Sequence, residues 1–170
     1  MKIEHTLRGL IALLLAVFVW VIFDSMRERL VAVGDTAPDF SITTDSGREI
    51  TPASFGGKLL VLNFLATWCP PCIDEMPSLN AFQKHLAGKG VVVLGISVDK
   101  DEQEYRRFLS QARVSFLTAR DPSNKINQDY GTLKFPETYI IDTQGKVVRK
   151  IINSRDWMDP GILSDVQSLL

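Results

Sequence analysis

Cysteine is scarce in this sequence: Cys69 and Cys72 are the only two, and there are two histidines, His5 and His85. Structural zinc takes four ligands, and neither histidine stands at ligand spacing from the pair, so a closed zinc site is not encoded. No third cysteine is left for lipidation or for a second bridge. A surplus of one charge is lacking too. Nineteen Lys and Arg face 20 Asp and Glu, net −1, and no basic or acidic tail offers nucleic acid a footprint. Repeats and low-complexity tracts are absent, so the 170 residues read as one domain with an attachment, long enough to bury a full core.

What is present concentrates on Trp68-Cys69-Pro70-Pro71-Cys72. Upstream, residues 58–67 are β-prone and apolar, a central strand buried on both faces. Downstream, Cys72 to Leu86 reads as a helix. Ile73, Met76, Leu79, Phe82 and Leu86 recur at helical spacing, and Pro77 is the one breaker. Cys69 therefore falls at a helix N-terminus, where free N–H groups and the dipole favour an anion such as a thiolate. The thiolate is the nucleophile of disulfide exchange. Cys72, one turn behind, can close the ring after a mixed disulfide has formed. A purely structural bridge over two intervening residues would add little entropic stabilisation, so redox chemistry is the favoured reading. Two other classes stay open: a module that passes copper(I) through both sulfurs, and a thiol peroxidase that needs only Cys69.

The string Ala66-Thr67-Trp68-Cys69-Pro70-Pro71-Cys72, then Asp74-Glu75-Met76-Pro77, and later Tyr130 through Phe135-Pro136-Glu137-Thr138, resembles the membrane-anchored TlpA/ResA-type thiol-disulfide oxidoreductases of the thioredoxin superfamily. The resemblance covers about residues 34 to 170. It implies an α/β, thioredoxin-like fold with an N-terminal β-hairpin and a central βα insertion, preceded by a single transmembrane helix. It also implies that Cys69 attacks, Cys72 resolves and Glu75 moves protons. Pro136 is then cis and shapes a substrate groove with Phe135, Glu137 and Trp68. No cofactor is implied beyond the Cys69-Cys72 disulfide.

The resemblance further implies clients among exported proteins, such as apocytochrome c or a copper-assembly protein. A membrane thiol transporter would be the electron donor, and the catalytic domain would lie on the extracytoplasmic side of a bacterial inner membrane. Gly34 to Phe40 also opens peroxiredoxins, whose motif needs threonine three residues before its cysteine. Here Ala66 precedes Cys69 and Cys69 precedes Cys72 at that distance. Glu137 resembles the Pro-Glu-Thr variant of the cytochrome c maturation branch, whereas Leu133-Lys134-Phe135 departs from that branch's lead-in.

Residues 1–33 read as a membrane anchor and spacer, and 34–170 as the globular domain. Gly9 to Phe23 is uncharged, roughly 22 Å long as a helix, and carries Trp20 near one end. Asp24 to Leu30 offers no small-residue cleavage site, which favours an uncleaved anchor.

Along the domain, the segments around Thr44-Asp45-Ser46-Gly47 form a hairpin. A buried strand follows at 91–98, a helix at 101–112, a short strand at 115–118 and a helix at 122–130. Strands at 137–142 and 146–152 precede a last helix at 162–170. Residues 91–115 read as the inserted unit. Asn63 occupies the place of the buried aspartate of ordinary thioredoxins and cannot ionise, which makes Glu75 the acid/base candidate. Pro70 and Pro71 withhold two N–H donors from a Cys69 thiolate, so the expected reduction potential lies nearer thioredoxin than the strong oxidants.

Overall fold

Leu59–Leu65 carries no charge and has every residue buried, and it forms the middle strand of the molecule. The structure is a computed structural model that describes residues 2–25 and 30–170. In chain order it contains α1 (Lys2–Ser25), β1 (Ile42–Thr43), β2 (Glu49–Ile50), β3 (Leu59–Leu65), α2 (Pro70–Leu86) and β4 (Val91–Ser97). There follow α3 (Glu102–Gln111), β5 (Leu117–Arg120), α4 (Lys125–Asp129), β6 (Glu137–Ile141), β7 (Val147–Ile152) and α5 (Pro160–Gln167).

The main sheet has five strands in the order β5-β4-β3-β6-β7. β3 pairs parallel with β4 and β4 with β5, while β6 runs antiparallel to both β3 and β7. Side chains alternate across the strands and feed two cores. On one face Leu60, Leu62 and Phe64 meet Phe40, Ile126, Tyr130 and Tyr139. On the other, Val61 and Leu65 meet Met76, Leu79 and Phe82 of α2, together with Phe108 and Trp157.

The N-terminal part of the domain covers the sheet edges. Asp45 donates its N–H to Thr118 O at 2.9 Å, and Thr44 bridges Ala119, so the hairpin lies along β5. On the far side Gly34 N–H reaches Val147 O at 2.8 Å and Val147 N–H reaches Asp35 O at 2.9 Å, at the start of β7.

Several expectations need correction. The helix expected from Cys72 starts at Pro70, because proline at the first helical positions gives up an N–H that has no partner there. It continues through Pro77 to Leu86, and Ile73 lies outside the core at 45% exposure. The expected inserted unit, 91–115, does not stand apart from the sheet. β4, assigned to it from sequence, is a central strand paired on both sides. The transmembrane helix is not found: α1 is 24 residues long, yet among the described residues no helix is long and apolar enough to cross a membrane. Its uncharged run, 9–23, is shorter than the ~20 residues a hydrocarbon core of about 30 Å requires. The expected spacer falls partly, at 26–29, outside the described residues.

Gly95 on β4 is a sensitive point of this packing. A Cβ there would stand 3.0 Å from the Phe116 ring and 3.1 Å from Leu65 Cδ2. Gly95→Ala is expected to cost about 1–3 kcal/mol through overpacking. Denaturant unfolding would read this as a lower midpoint at unchanged m-value.

Candidate active site

Cys69 is the N-cap of α2, with extended φ −102° and ψ 102°, and its Sγ accepts a hydrogen bond from Cys72 N–H at 3.3 Å. Pro70 and Pro71 supply no N–H, so the Cys72 amide is the first donor the helix presents to that sulfur. The two sulfurs form a disulfide with Cα atoms 5.3 Å apart. Cys69 retains 4% exposure and Cys72 none, which leaves Cys69 as the sulfur a client can approach.

A groove of about 430 Å³ opens over Cys69 between Trp68, Pro70 and Pro71 on one side and Leu133, Phe135 and Asn153 on the other. Trp68 is 66% exposed and stands edge-on to Phe135, with ring centroids 5.7 Å apart. Leu133 is 67% exposed, so the rim around the disulfide is open and largely apolar, with Lys134 and Asn153 as its polar members. The Phe135-Pro136 bond is cis, and Pro136 O accepts from Asn153 N–H at 3.0 Å.

Glu75 lies one turn beyond Cys72, 2% exposed, with its carboxylate turned inward. Oε1 accepts from Asn63 Nδ2 at 2.8 Å, and Oε2 accepts from Trp157 Nε1 at 3.2 Å and from Arg155 N–H at 3.4 Å. Burial pushes its pKa up from 4.5 to about 7, against the three donors, which favour the charged form. Asn63 Nδ2 also donates to Thr138 Oγ1 at 2.9 Å, tying Glu75 to the strand that follows Pro136. Ser78 Oγ donates to Arg155 O at 3.3 Å and accepts from Trp157 N–H at 3.1 Å, which pins the loop carrying Arg155 and Trp157 onto α2.

The structure thus brings Trp68, Cys69, Cys72, Phe135 and Pro136 to one end of the sheet, with Glu75 directly beneath. Glu137 does not join them. Thr138 points toward Glu75, so its neighbour Glu137 faces the opposite side of the sheet. There its carboxylate is buried, accepts from the Tyr139 hydroxyl, and pairs with Lys150 Nζ at 2.9 Å. The groove role read from sequence is corrected accordingly. Trp157, the backbone of Arg155 and Thr138 were missed: their contacts with the site span 82, 80 and 75 residues of sequence. The available signal was a polar Asn63 inside a strand buried on both faces, since such a group must have partners.

A redox-active disulfide at a helix N-terminus, beside a cis-proline loop and above a buried carboxylate, defines a thiol-disulfide oxidoreductase of thioredoxin-like fold. Residues 33–150 match the AhpC/TSA family model, and the chain belongs to that family. It is 34% identical over 125 residues to the thiol-disulfide oxidoreductase ResA of Bacillus thuringiensis subsp. konkukian, covering 74% of this chain and 72% of that protein. To the thioredoxin-like protein YneN of Bacillus subtilis it is 35% identical over 150 residues, covering 85% and 88%. Among solved structures, a thiol:disulfide interchange protein of the thioredoxin family from Chlorobium tepidum superposes with a TM-score of 0.69 at 29% identity, over 80% of this chain and 98% of that one.

Proposed function

We propose that the protein reduces disulfides of exported proteins at the extracytoplasmic face of a bacterial membrane. One observation carries the reading: Cys69, the more accessible sulfur, caps a helix whose proline-filled first turn gives it a single N–H donor, from Cys72. Few donors favour the disulfide form of the pair over the dithiol, which suits a reductant.

In the forward step the Cys69 thiolate attacks one sulfur of a client disulfide. The client S–S bond breaks, and the departing sulfur takes up a proton. Cys72 then loses its proton and attacks Cys69 Sγ, which frees the second client thiol and leaves the Cys69-Cys72 disulfide. Two electrons have passed from the dithiol to the client. Glu75, with a pKa of about 7, is part ionised at neutral pH and can accept a proton from Cys72. A membrane thiol transporter restores the dithiol. The open, largely apolar rim suits unfolded clients, apocytochrome c or a copper-assembly protein among them. Leu10, Leu14, Phe18 and Trp20 of α1 are exposed, and the run 9–23, apolar on all sides, suits a lipid environment, so residues 1–33 serve as the membrane attachment.

The dithiol form is expected to reduce insulin with a thiol donor present. Cys69→Ser is expected to abolish this activity. Wild-type protein inert toward insulin, or Cys69→Ser retaining activity, would remove the basis of the reading.

A further inference from the structure

Asp99 follows the end of β4, is 4% exposed, and has no part in the disulfide exchange above. Its Oδ2 accepts from Thr67 N–H at 2.9 Å and from the Ser97 hydroxyl at 2.6 Å, while Oδ1 accepts from the Thr67 hydroxyl at 2.8 Å. Burying a carboxylate is costly unless protein donors replace its water, and here three donors do so. Two of them come from Thr67, which is held by main chain and side chain together. Thr67 stands two residues before Cys69 in the turn that Cys69 N–H closes onto Ala66 O at 3.2 Å.

The loop that carries Asp99 is itself gripped from β5. Arg120, on β5, donates from Nη1 to Lys100 O at 2.9 Å and to Asp99 O at 3.4 Å. Its Nη2 reaches Glu102 Oε2, at the start of α3, at 3.1 Å. A continuous series of charge-assisted contacts therefore runs from β5 through the 99–102 loop to the turn that presents Cys69.

We infer that Asp99 is a positioning residue for the exchange reaction: by clamping Thr67 it fixes the approach of Cys69 Sγ to a client sulfur, with the α3–β5 unit bracing the clamp through Arg120. The inference rests on the disulfide-reductase reading. Sulfur–sulfur attack is sensitive to alignment, and a misplacement of 1 Å can cost a reaction about a hundredfold. A hydroxyl and an amide held by one carboxylate leave the turn little freedom to swing. Without the carboxylate, the Cys69 turn loses both of Thr67's contacts with Asp99 and is left with its backbone bond to Ala66, the edge contact of Trp68 with Phe135 and the start of α2.

The test uses the full chain in insulin-reduction kinetics. Asp99→Asn keeps the volume but puts an NH₂ against one of the donors, and Thr67→Val removes the hydroxyl at equal size. Each is expected to lower kcat about tenfold with KM unchanged. Thr67→Ser, which keeps the hydroxyl, recovers most of the loss. The double variant falls no further than the worse single one, as coupled residues require. Wild-type kcat in Thr67→Val, or a loss in Thr67→Ser equal to that in Thr67→Val, would overturn the clamp while leaving the reductase reading intact. Should Asp99→Asn not fold, the two Thr67 variants decide alone. Wild-type protein without insulin activity would overturn both.

Discussion

Replacing Cys72 by serine is expected to turn the protein from a catalyst into a trap. Cys69 keeps its place at the cap of α2 and its hydrogen bond from the residue 72 amide, because that donor is backbone. The first exchange therefore proceeds, and a client becomes joined to Cys69 through a mixed disulfide. The second exchange has lost its nucleophile. The hydroxyl of a serine does not displace a thiolate at neutral pH, so release is slowed by orders of magnitude and the adduct accumulates. Expressed in cells, Cys72→Ser should yield species on non-reducing gels whose added mass identifies the client, and these should disappear with dithiothreitol. The double variant Cys69→Ser/Cys72→Ser should give none. An absence of adducts in the single variant, with the protein folded and exported, would show that Cys69 does not attack protein disulfides.

Glu75→Gln is expected to have the next largest effect, and the pH dependence carries the diagnosis. The folded carboxyl has a pKa of about 7 against 4.5 for an unperturbed glutamate, so between these limits the native protein holds a proton that the unfolded chain has released. Stability falls with rising pH wherever the native state binds more protons. The contribution is fully present below about 4.5 and is lost as pH climbs through about 7. At about 1.4 kcal/mol per pH unit this amounts to roughly 3 kcal/mol. In Glu75→Gln the slope disappears. The glutamine oxygen still accepts from Trp157, and the Asn63 amide can turn its Oδ1, which has no hydrogen-bond partner, toward the new NH₂.

Catalytically, loss of a proton acceptor at this position should slow client release about 10²-fold at neutral pH and erase the inflection near pH 7. Trp157→Phe provides the companion measurement. It removes a donor that favours the ionised form, so the inflection should move to higher pH. Unfolding curves across pH 4 to 8, together with single-turnover release rates, read both variants. A wild-type stability profile that rises over this range would contradict the buried-carboxyl account.

The parts of this molecule written locally were readable in advance. The cysteine pair, its helix, the apolar strand before it and the two hairpins each announce themselves within a dozen residues, through periodicity, turn residues and spacing. The parts made by distant contacts were not. Trp157 has no local pattern that would assign its indole N–H to Glu75; only the return of the chain after β7 across α2 does so. Glu137 was misplaced for the opposite reason, since adjacency to Pro136 in sequence reverses into opposite faces once the strand alternates. The inserted unit was bounded without its pairing in view: β4 is a seven-residue strand paired on both sides and β5 a four-residue strand at the edge of the main sheet, which only the register shows. The apolar N-terminal run illustrates a quantitative limit. Its composition suits lipid, while its length falls short of a crossing.

The pairing of the hairpin with β5 and of residues 34–37 with the start of β7 has a consequence for the proposed handling of extended clients. A bare lateral strand would zip onto any extended polypeptide regardless of its sulfur content, and successive additions would seed a fibre. With β5 and the first residue of β7 already held by the protein's own backbone, less of either flank is open to a passing chain, which favours engagement at the end where Cys69 waits.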